Sequence, residues 1–397
     1  MGELLADRDR VSTVVLSGKQ PTPSKPTRSR IQFHALAGHV VPSVLARARD
    51  HKQSIFRAES VLRPELPGIL RRQGILPWSV LRQDFKWLFK AEFPRLALQV
   101  AMAEHILDHH RPALVVSPDD ADRGRIYTFL AKSRNIPSLV VQQGMVTENA
   151  VEWQCLTSDG VAVFGPRSRD ALRRHDVPPE HIHVTGCPRL DVLTRPDPEA
   201  ERQVHAELRV PAGLSLVLLA SQPYVAGSFA GADARREMLQ AVGKVVAAVE
   251  NVFLAVKPHP TEDERELRSM IGTGPRIRYV DRQADIRNFI RACDVFMTFF
   301  STSSMQALMA GKPIIRMRFP GSGVNNSLFD GEAVWTASST GELIDHLRLL
   351  TGIDRERAMA ERDPVRQRFT YELLYQPDGQ AATRVADLLL SLMKTAK

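Results

Sequence analysis

The chain has 397 residues, 43% of them hydrophobic and 25% charged, with a net charge of +8. That length allows two or three domains with full cores, in a composition ordinary for a soluble protein. No unbroken apolar run is long enough for a bilayer-spanning helix, and three scattered cysteines (Cys155, Cys187, Cys293) exclude a disulfide scaffold or a Cys-rich zinc site.

The amino terminus shows no signal-peptide pattern. Strands are predicted over 12–17 and 31–36, on either side of the Pro- and Ser-rich loop 20–30, and a helical region over 41–110. Between Phe56 and Arg95 there are eight Arg or Lys against four acidic residues, with Trp78, Phe85, Trp87, Phe89 and Phe93 interleaved. Arg82, Lys86 and Lys90 recur every four residues and share one helical stripe. Such a stripe suits an anionic membrane surface or a polyanionic acceptor, and equally a helix that buries its aromatics and solvates its lysines. No nucleic-acid-binding signature accompanies the charge.

Short unbroken Val/Leu runs follow, the pattern of parallel strands buried on both faces. They fall at 113–116, 138–141, 160–164 and 182–185, with helices over 126–133 and 168–175. A second series begins after the Pro- and Glu-bearing stretch 195–202, with strands at 214–220, 252–256, 277–280, 295–300, 313–317 and 333–336. Helices are predicted there over 234–249 and 341–350, and a last amphipathic helix over 380–393. The fold class is α/β, with two Rossmann-type doubly wound halves facing across a cleft. The predicted division is 1–195, 196–379 and a terminal helix 380–397.

Residues suited to chemistry gather after these strands. Ser301-Thr302-Ser303-Ser304 opens a short helix that Gly311 and Pro313 close, so hydroxyls are expected to cap its orphan N–H groups and favour an anion. The strand 252–256 runs into Lys257-Pro258-His259-Pro260. In the first half, Gln142-Gln143-Gly144 offers amides and a close backbone approach. Ser117-Pro118-Asp119-Asp120-Ala121-Asp122 offers carboxylates, as general bases, as an acidic metal pair, or as a solvated capping loop. Arg189 could hold a phosphate, or form a structural pair with Asp191.

Several of these markers occur in a familiar order. Val141-Gln142-Gln143-Gly144 resembles the V-Q-H-G of bacterial capsule and surface-polysaccharide transferases. Gly186-Cys187-Pro188-Arg189-Leu190-Asp191 resembles their G-x-P-R-x-D, and Lys257-Pro258-His259-Pro260 their K-P-H-P. The stretch 301–313 is similar to their hydroxyl-rich donor loop, and Asp378-Gly379-Gln380-Ala381-Ala382-Thr383-Arg384 to their D-G-x-A-x-x-R. The likeness runs over roughly 113–390. It implies the two-Rossmann GT-B fold shared by polysialyltransferases, CDP-glycerol glycerophosphotransferases and hydrolysing UDP-N-acetylglucosamine 2-epimerases.

By that resemblance the protein is an inverting, metal-independent glycosyltransferase of bacterial surface polysaccharide synthesis. It would move a sugar or polyol phosphate from a nucleotide-activated donor (UDP, CMP or CDP type) to a glycan or lipid-linked acceptor, with no bound cofactor. Donor contacts fall to Gln142, Gln143, Gly144, Arg189, Gln222, Lys257, Ser301, Thr302, Ser303 and Gln306, and His259 stabilises the leaving phosphate. Gln143 stands where relatives carry a basic His and Gln306 where many carry Glu, so the acceptor proton passes to Asp120 or Glu148, ahead of Asp119. A cytoplasmic location, with peripheral contact at the inner membrane face through 56–95, goes with this reading. The alternatives are a 2-epimerase, which needs no acceptor, and a GT-B protein that binds without catalysis.

Overall fold

A computed structural model describes residues 12–17, 31–70, 78–118, 122–146, 153, 155–224, 231–323 and 331–395. The loop 20–30 and the carboxylates Asp119, Asp120 and Glu148 lie outside the described residues. The chain forms two compact units, one of Met1–Val163, Ala171–His183 and Thr383–Lys397, the other of Phe164–Asp170 and Val184–Ala382.

In the first unit, β1 (Thr13–Ser17) and β2 (Ile31–Ala35) pair in parallel as a two-stranded ribbon. The helical region resolves into α1 (Pro42–Ile69), α2 (Trp78–Trp87), a π-helical turn at Leu88–Glu92, and α3 (Phe93–His110). Val44 and Ala48 of α1 pack on Ala101 of α3. The turn ends just before Pro94, which has no N–H to continue a regular ladder. The four-stranded sheet has the order β3 (Val115–Ser117), β4 (Ser138–Val141), β5 (Gly160–Val163), β6 (Ile182–Val184). The helices between its strands are α4 (Asp122–Lys132) and α5 (Pro166–Arg174), the latter divided after Asp170 between the two units.

The second unit carries a six-stranded sheet of β7 (Ser215–Ala220), β8 (Val252–Lys257), β9 (Ile277–Tyr279), β10 (Val295–Thr298), β11 (Ile314–Met317) and β12 (Trp335–Ala337). The spatial order is β12-β11-β10-β7-β8-β9, and the pairs are parallel. Six helices accompany them: α6 (Pro198–Leu208), α7 (Ala232–Ala248), α8 (Glu264–Ile271), α9 (Ile286–Ala292), α10 (Ser304–Met309) and α11 (Thr340–Thr351). The inner strands are buried on both faces, with Leu216, Leu218, Phe253, Val256, Phe296 and Ile315 at 1% exposure or less. Every strand predicted from the sequence is present within two residues of its bounds.

Two further helices close the chain, α12 (Arg355–Leu374) and α13 (Ala381–Thr395). From Thr383 onward α13 belongs to the first unit, where Val385, Ala386 and Leu389 pack on Leu139 and Ala162 of the sheet. No helix of the described residues is long and apolar enough to cross a membrane.

Candidate functional site at the sheet switch point

The second sheet winds β7-β8-β9 to one side and then returns past β7 to β10-β11-β12. Loops leaving the two strands at such a reversal diverge and leave a crevice beyond their carboxyl ends. Here those loops are Ser221–Gln222 after β7 and Phe299–Ser303 after β10, and Lys257–Pro260 follows the neighbouring β8. The topology therefore brings most of the predicted donor residues to one edge.

The turn after β10 is fixed from several sides. Gln222 accepts the Phe300 N–H at 2.7 Å through Oε1. The Thr298 hydroxyl accepts the Ser301 N–H at 3.3 Å and donates to the Ala220 carbonyl at 3.2 Å. Arg316 of β11 donates from Nε to the Phe299 carbonyl at 3.3 Å. Gln222 thus builds the loop, a task its sequence position did not announce.

The hydroxyl run works differently from the expected cap. Ser303, immediately before α10, adopts helical angles and makes no side-chain cap bond. Ser301 Oγ instead accepts the Ser303 N–H at 3.2 Å. Ser304 is buried, while Thr302 is exposed and Ser303 half-buried. The helix has only six residues, too few for a substantial macrodipole, so anion affinity here would rest on individual N–H and O–H donors. Gly311 does close it, at φ 69°. On α10, Gln306 Oε1 is buried with no hydrogen-bond partner among the described residues.

The Lys-Pro-His-Pro loop is tied to the same scaffold. Glu262 Oε2 accepts the His259 N–H at 2.7 Å, while its Oε1 accepts from Ser221 Oγ at 2.9 Å and Arg235 Nη2 at 2.7 Å. Arg235 also donates from Nε to the Gln222 carbonyl at 2.9 Å. Arg235 and Glu262 are 3% and 4% exposed, so one buried ion pair holds the loops after β7 and β8 together. Sequence reasoning missed this pair, because nothing local distinguishes one Arg of α7 or one Glu before α8.

His259 and Lys257 have unlike surroundings. The exposed His259 ring places Nδ1 2.8 Å from Thr261 Oγ1 and 3.3 Å from the Thr261 N–H. An Nδ1 that accepts a backbone N–H leaves the ring proton on Nε2, ready to donate. Lys257 is 6% exposed and donates to the Arg282 carbonyl at 2.7 Å and the Pro258 carbonyl at 3.3 Å. Burial pushes its pKa below the ordinary lysine value, against the pull of Asp281 and Asp285. Lys257 therefore pins the loop to the turn after β9. A cavity of about 870 Å³ opens beside that loop, walled by Thr261, Arg265, Arg268, Tyr279, Asp281 and Arg282.

Arg189 is exposed at the start of a 3₁₀ segment, Pro188–Thr194, that packs against α10. Asp191 is no partner for Arg189 in a structural pair: its two oxygens accept the Ala381 and Ala382 N–H groups at 3.1 and 2.7 Å. The two sequence motifs containing Asp191 and Gly379 are thus halves of one helix cap. Gly379 sits at φ 71°, where a Cβ would lie 2.6 Å from Thr194 Oγ1.

In the first unit Gln142 is buried, donating to the Gly144 carbonyl at 2.8 Å, and Gln143 and Gly144 are exposed at the carboxyl edge of β4. Burial raises the Cys187 thiol to about 11 and the Cys293 thiol to about 12, so neither supplies a nucleophile at neutral pH.

Comparison with known proteins decides the family. Residues 163–391, more than half of the chain, match the family described as CDP-glycerol:poly(glycerophosphate) glycerophosphotransferase. The chain belongs to that family. No curated protein sequence matches it. Among solved structures it is similar to a Listeria monocytogenes protein assigned as a UDP-N-acetylglucosamine 2-epimerase, with TM-score 0.59 and 16% identity over 75% of this chain and 79% of that one. It is also similar to the Neisseria meningitidis UDP-GlcNAc 2-epimerase bound to UDP-GlcNAc (TM-score 0.53, 14% identity, 74% and 80% covered). A third is the wall teichoic acid polymerase TagF soaked with CDPG (TM-score 0.52, 14% identity, 71% and 73% covered). At these identities the likeness establishes a shared GT-B-like fold.

Proposed function

We propose that this protein transfers a polyol phosphate or sugar from a nucleotide-activated donor to a hydroxyl of a surface-polymer acceptor. The observation that carries the reading is the family match over the second unit, whose switch-point edge gathers His259, Gln222, the turn 299–303 and Gln306. For a CDP-linked polyol, an acceptor oxygen attacks the polyol-bearing phosphorus. The bond from that phosphorus to the bridging oxygen breaks, and a nucleoside monophosphate leaves with the new charge. His259 Nε2–H and the donors of the turn 301–303 stabilise that charge without a metal ion, and a carboxylate takes the acceptor proton. In the first unit Asp120 and Glu148 are the proposed bases and Gln142, Gln143 and Gly144 proposed donor-binding residues, and in the second unit Arg189 is proposed in the same role. Lys257 acts by fixing the loop that presents His259.

Titration of CDP-glycerol and UDP-sugars against His259→Ala and Ser301→Ala tests the site. Each variant should lose about 1.5–3 kcal/mol of binding to the cognate nucleotide. Unchanged affinity in both moves the site elsewhere. Donor breakdown without an acceptor would instead establish the epimerase reading, activity abolished by chelation and restored by magnesium or manganese a metal-dependent one, and binding without turnover an inactive protein.

The acceptor side is proposed to lie at an anionic membrane face. Phe56, Val61, Ile69, Val80 and Trp87 are exposed on α1 and α2 beside Arg57, Arg82, Lys86 and Lys90, so the aromatics are not all buried as an ordinary amphipathic helix would have them. Exposed apolar groups interspersed along the chain with basic residues suit a surface carrying acidic headgroups. Co-flotation with phosphatidylglycerol vesicles, weakened by Trp87→Ser and by raised salt, is the expected result. Retention equal to that on neutral vesicles would refute it.

A further inference from the structure

The first unit holds a cluster of imidazoles for which nucleotide transfer has no use. His34 lies on β2, His39 at the end of the 3₁₀ turn Leu36–His39, and His110 at the end of α3. One ligand atom from each falls within 4.8 Å of the others. The rings contact one another, with centroids 5.7 Å apart for His34–His39, 5.3 Å for His34–His110 and 5.7 Å for His39–His110. His109 lies 4.8 Å from His110, and His105 lies 6.1 Å from His39.

We propose that His34, His39 and His110 bind one first-row divalent cation, zinc foremost, with the fourth position left to water, His105 or His109. Three atoms so spaced leave a central point within about 2.8 Å of each, and small ring rotations bring that down to the ~2.0–2.1 Å of a zinc–imidazole bond. His39 is 9% exposed and His110 Nε2 is buried with no hydrogen-bond partner among the described residues, so that ring nitrogen is unsatisfied, and in the tautomer protonated at Nδ1 it offers a lone pair to a metal ion. The carboxylates on α3, Glu104 and Asp108, are already engaged by Arg47, His51 and Arg134. Burial and the neighbouring rings push the pKa values of His39 and His110 below the usual histidine value, favouring the neutral form that ligates. All-imidazole donor sets select zinc, copper or nickel over magnesium or calcium. The ion would staple the β1–β2 ribbon to α3, and a two-stranded ribbon is otherwise marginal in water.

The test uses the full chain, freed of any His-rich tag and stripped with chelator, titrated with zinc by calorimetry and followed by metal analysis. One zinc per chain is expected, with His39→Gln and His110→Gln each weakening binding at least about tenfold while His181→Gln leaves it unchanged. Zinc should also slow amide exchange over residues 31–39, and copper(II) at the site should show coupling to several nitrogens by paramagnetic resonance. His34→Gln, at the less buried member, serves if the other variants fail to fold. No saturable zinc binding, or binding undiminished in the triple variant, overturns the proposal.

Discussion

Gln306 is the residue whose surroundings ask most plainly for a ligand. A buried carbonyl acceptor without a partner costs about 1–3 kcal/mol, a cost that a bound hydroxyl would recover. A ribose or polyol hydroxyl would satisfy Oε1. Gln306→Ala should therefore weaken donor binding by about 1 kcal/mol without lowering the thermal stability of the free protein. A loss of stability with unchanged donor affinity would make Gln306 a packing residue. His259 differs in that its ring is exposed and its orientation is set locally by Thr261, which the Lys-Pro-His-Pro pattern showed only in part. Its motif was legible because proline-flanked residues after a strand stand out. The Asp191 cap was misread because its partners lie 190 residues away in the chain.

At the scale of elements, strands were legible because parallel strands buried on both faces must be apolar along their whole length. Helix α12 was not, because it docks through arginines together with a few apolar residues near its ends, such as Ala358, Leu373 and Leu374, that form no regular stripe. Arg366 donates to the Gly311 and Lys312 carbonyls at 3.0 and 3.1 Å, and the Arg362 guanidinium lies 4.4 Å over the Trp335 ring. The Arg235–Glu262 pair shows the same economy of signal, joining α7 to two loops through side chains. Removing one member of a buried pair leaves the other charge unpaired, at a cost of about 3–5 kcal/mol. Glu262→Ala should lose about that much stability in urea titration, and should weaken donor binding as the His259 and Phe300 backbones relax. Arg235→Met combined with Glu262→Leu should lose less stability than the two single changes summed. Additive losses would show that the two groups act independently.

The whole molecule was legible as two α/β halves, because the strand series restarts after residue 195. The membership of the last helix was not, since amphipathicity says that a face is buried but not against what. The structure gives that face to the first unit: Val385, Ala386 and Leu389 are at 1% exposure or less and pack on Leu139 and Ala162. The family match, 163–391, ends within this helix, so sequence placed late in the chain completes a core begun before residue 163. Leu389→Ala should consequently destabilise the first unit by about 2–5 kcal/mol, the usual range for a buried Leu cavity. Hydrogen exchange would locate the effect, with β4 and β5 amides losing protection while β7 and β8 amides keep theirs. Equal loss in both sheets would mean that the two units unfold as one cooperative block. Protection unchanged everywhere would mean that the helix contributes no stability to the sheet it covers.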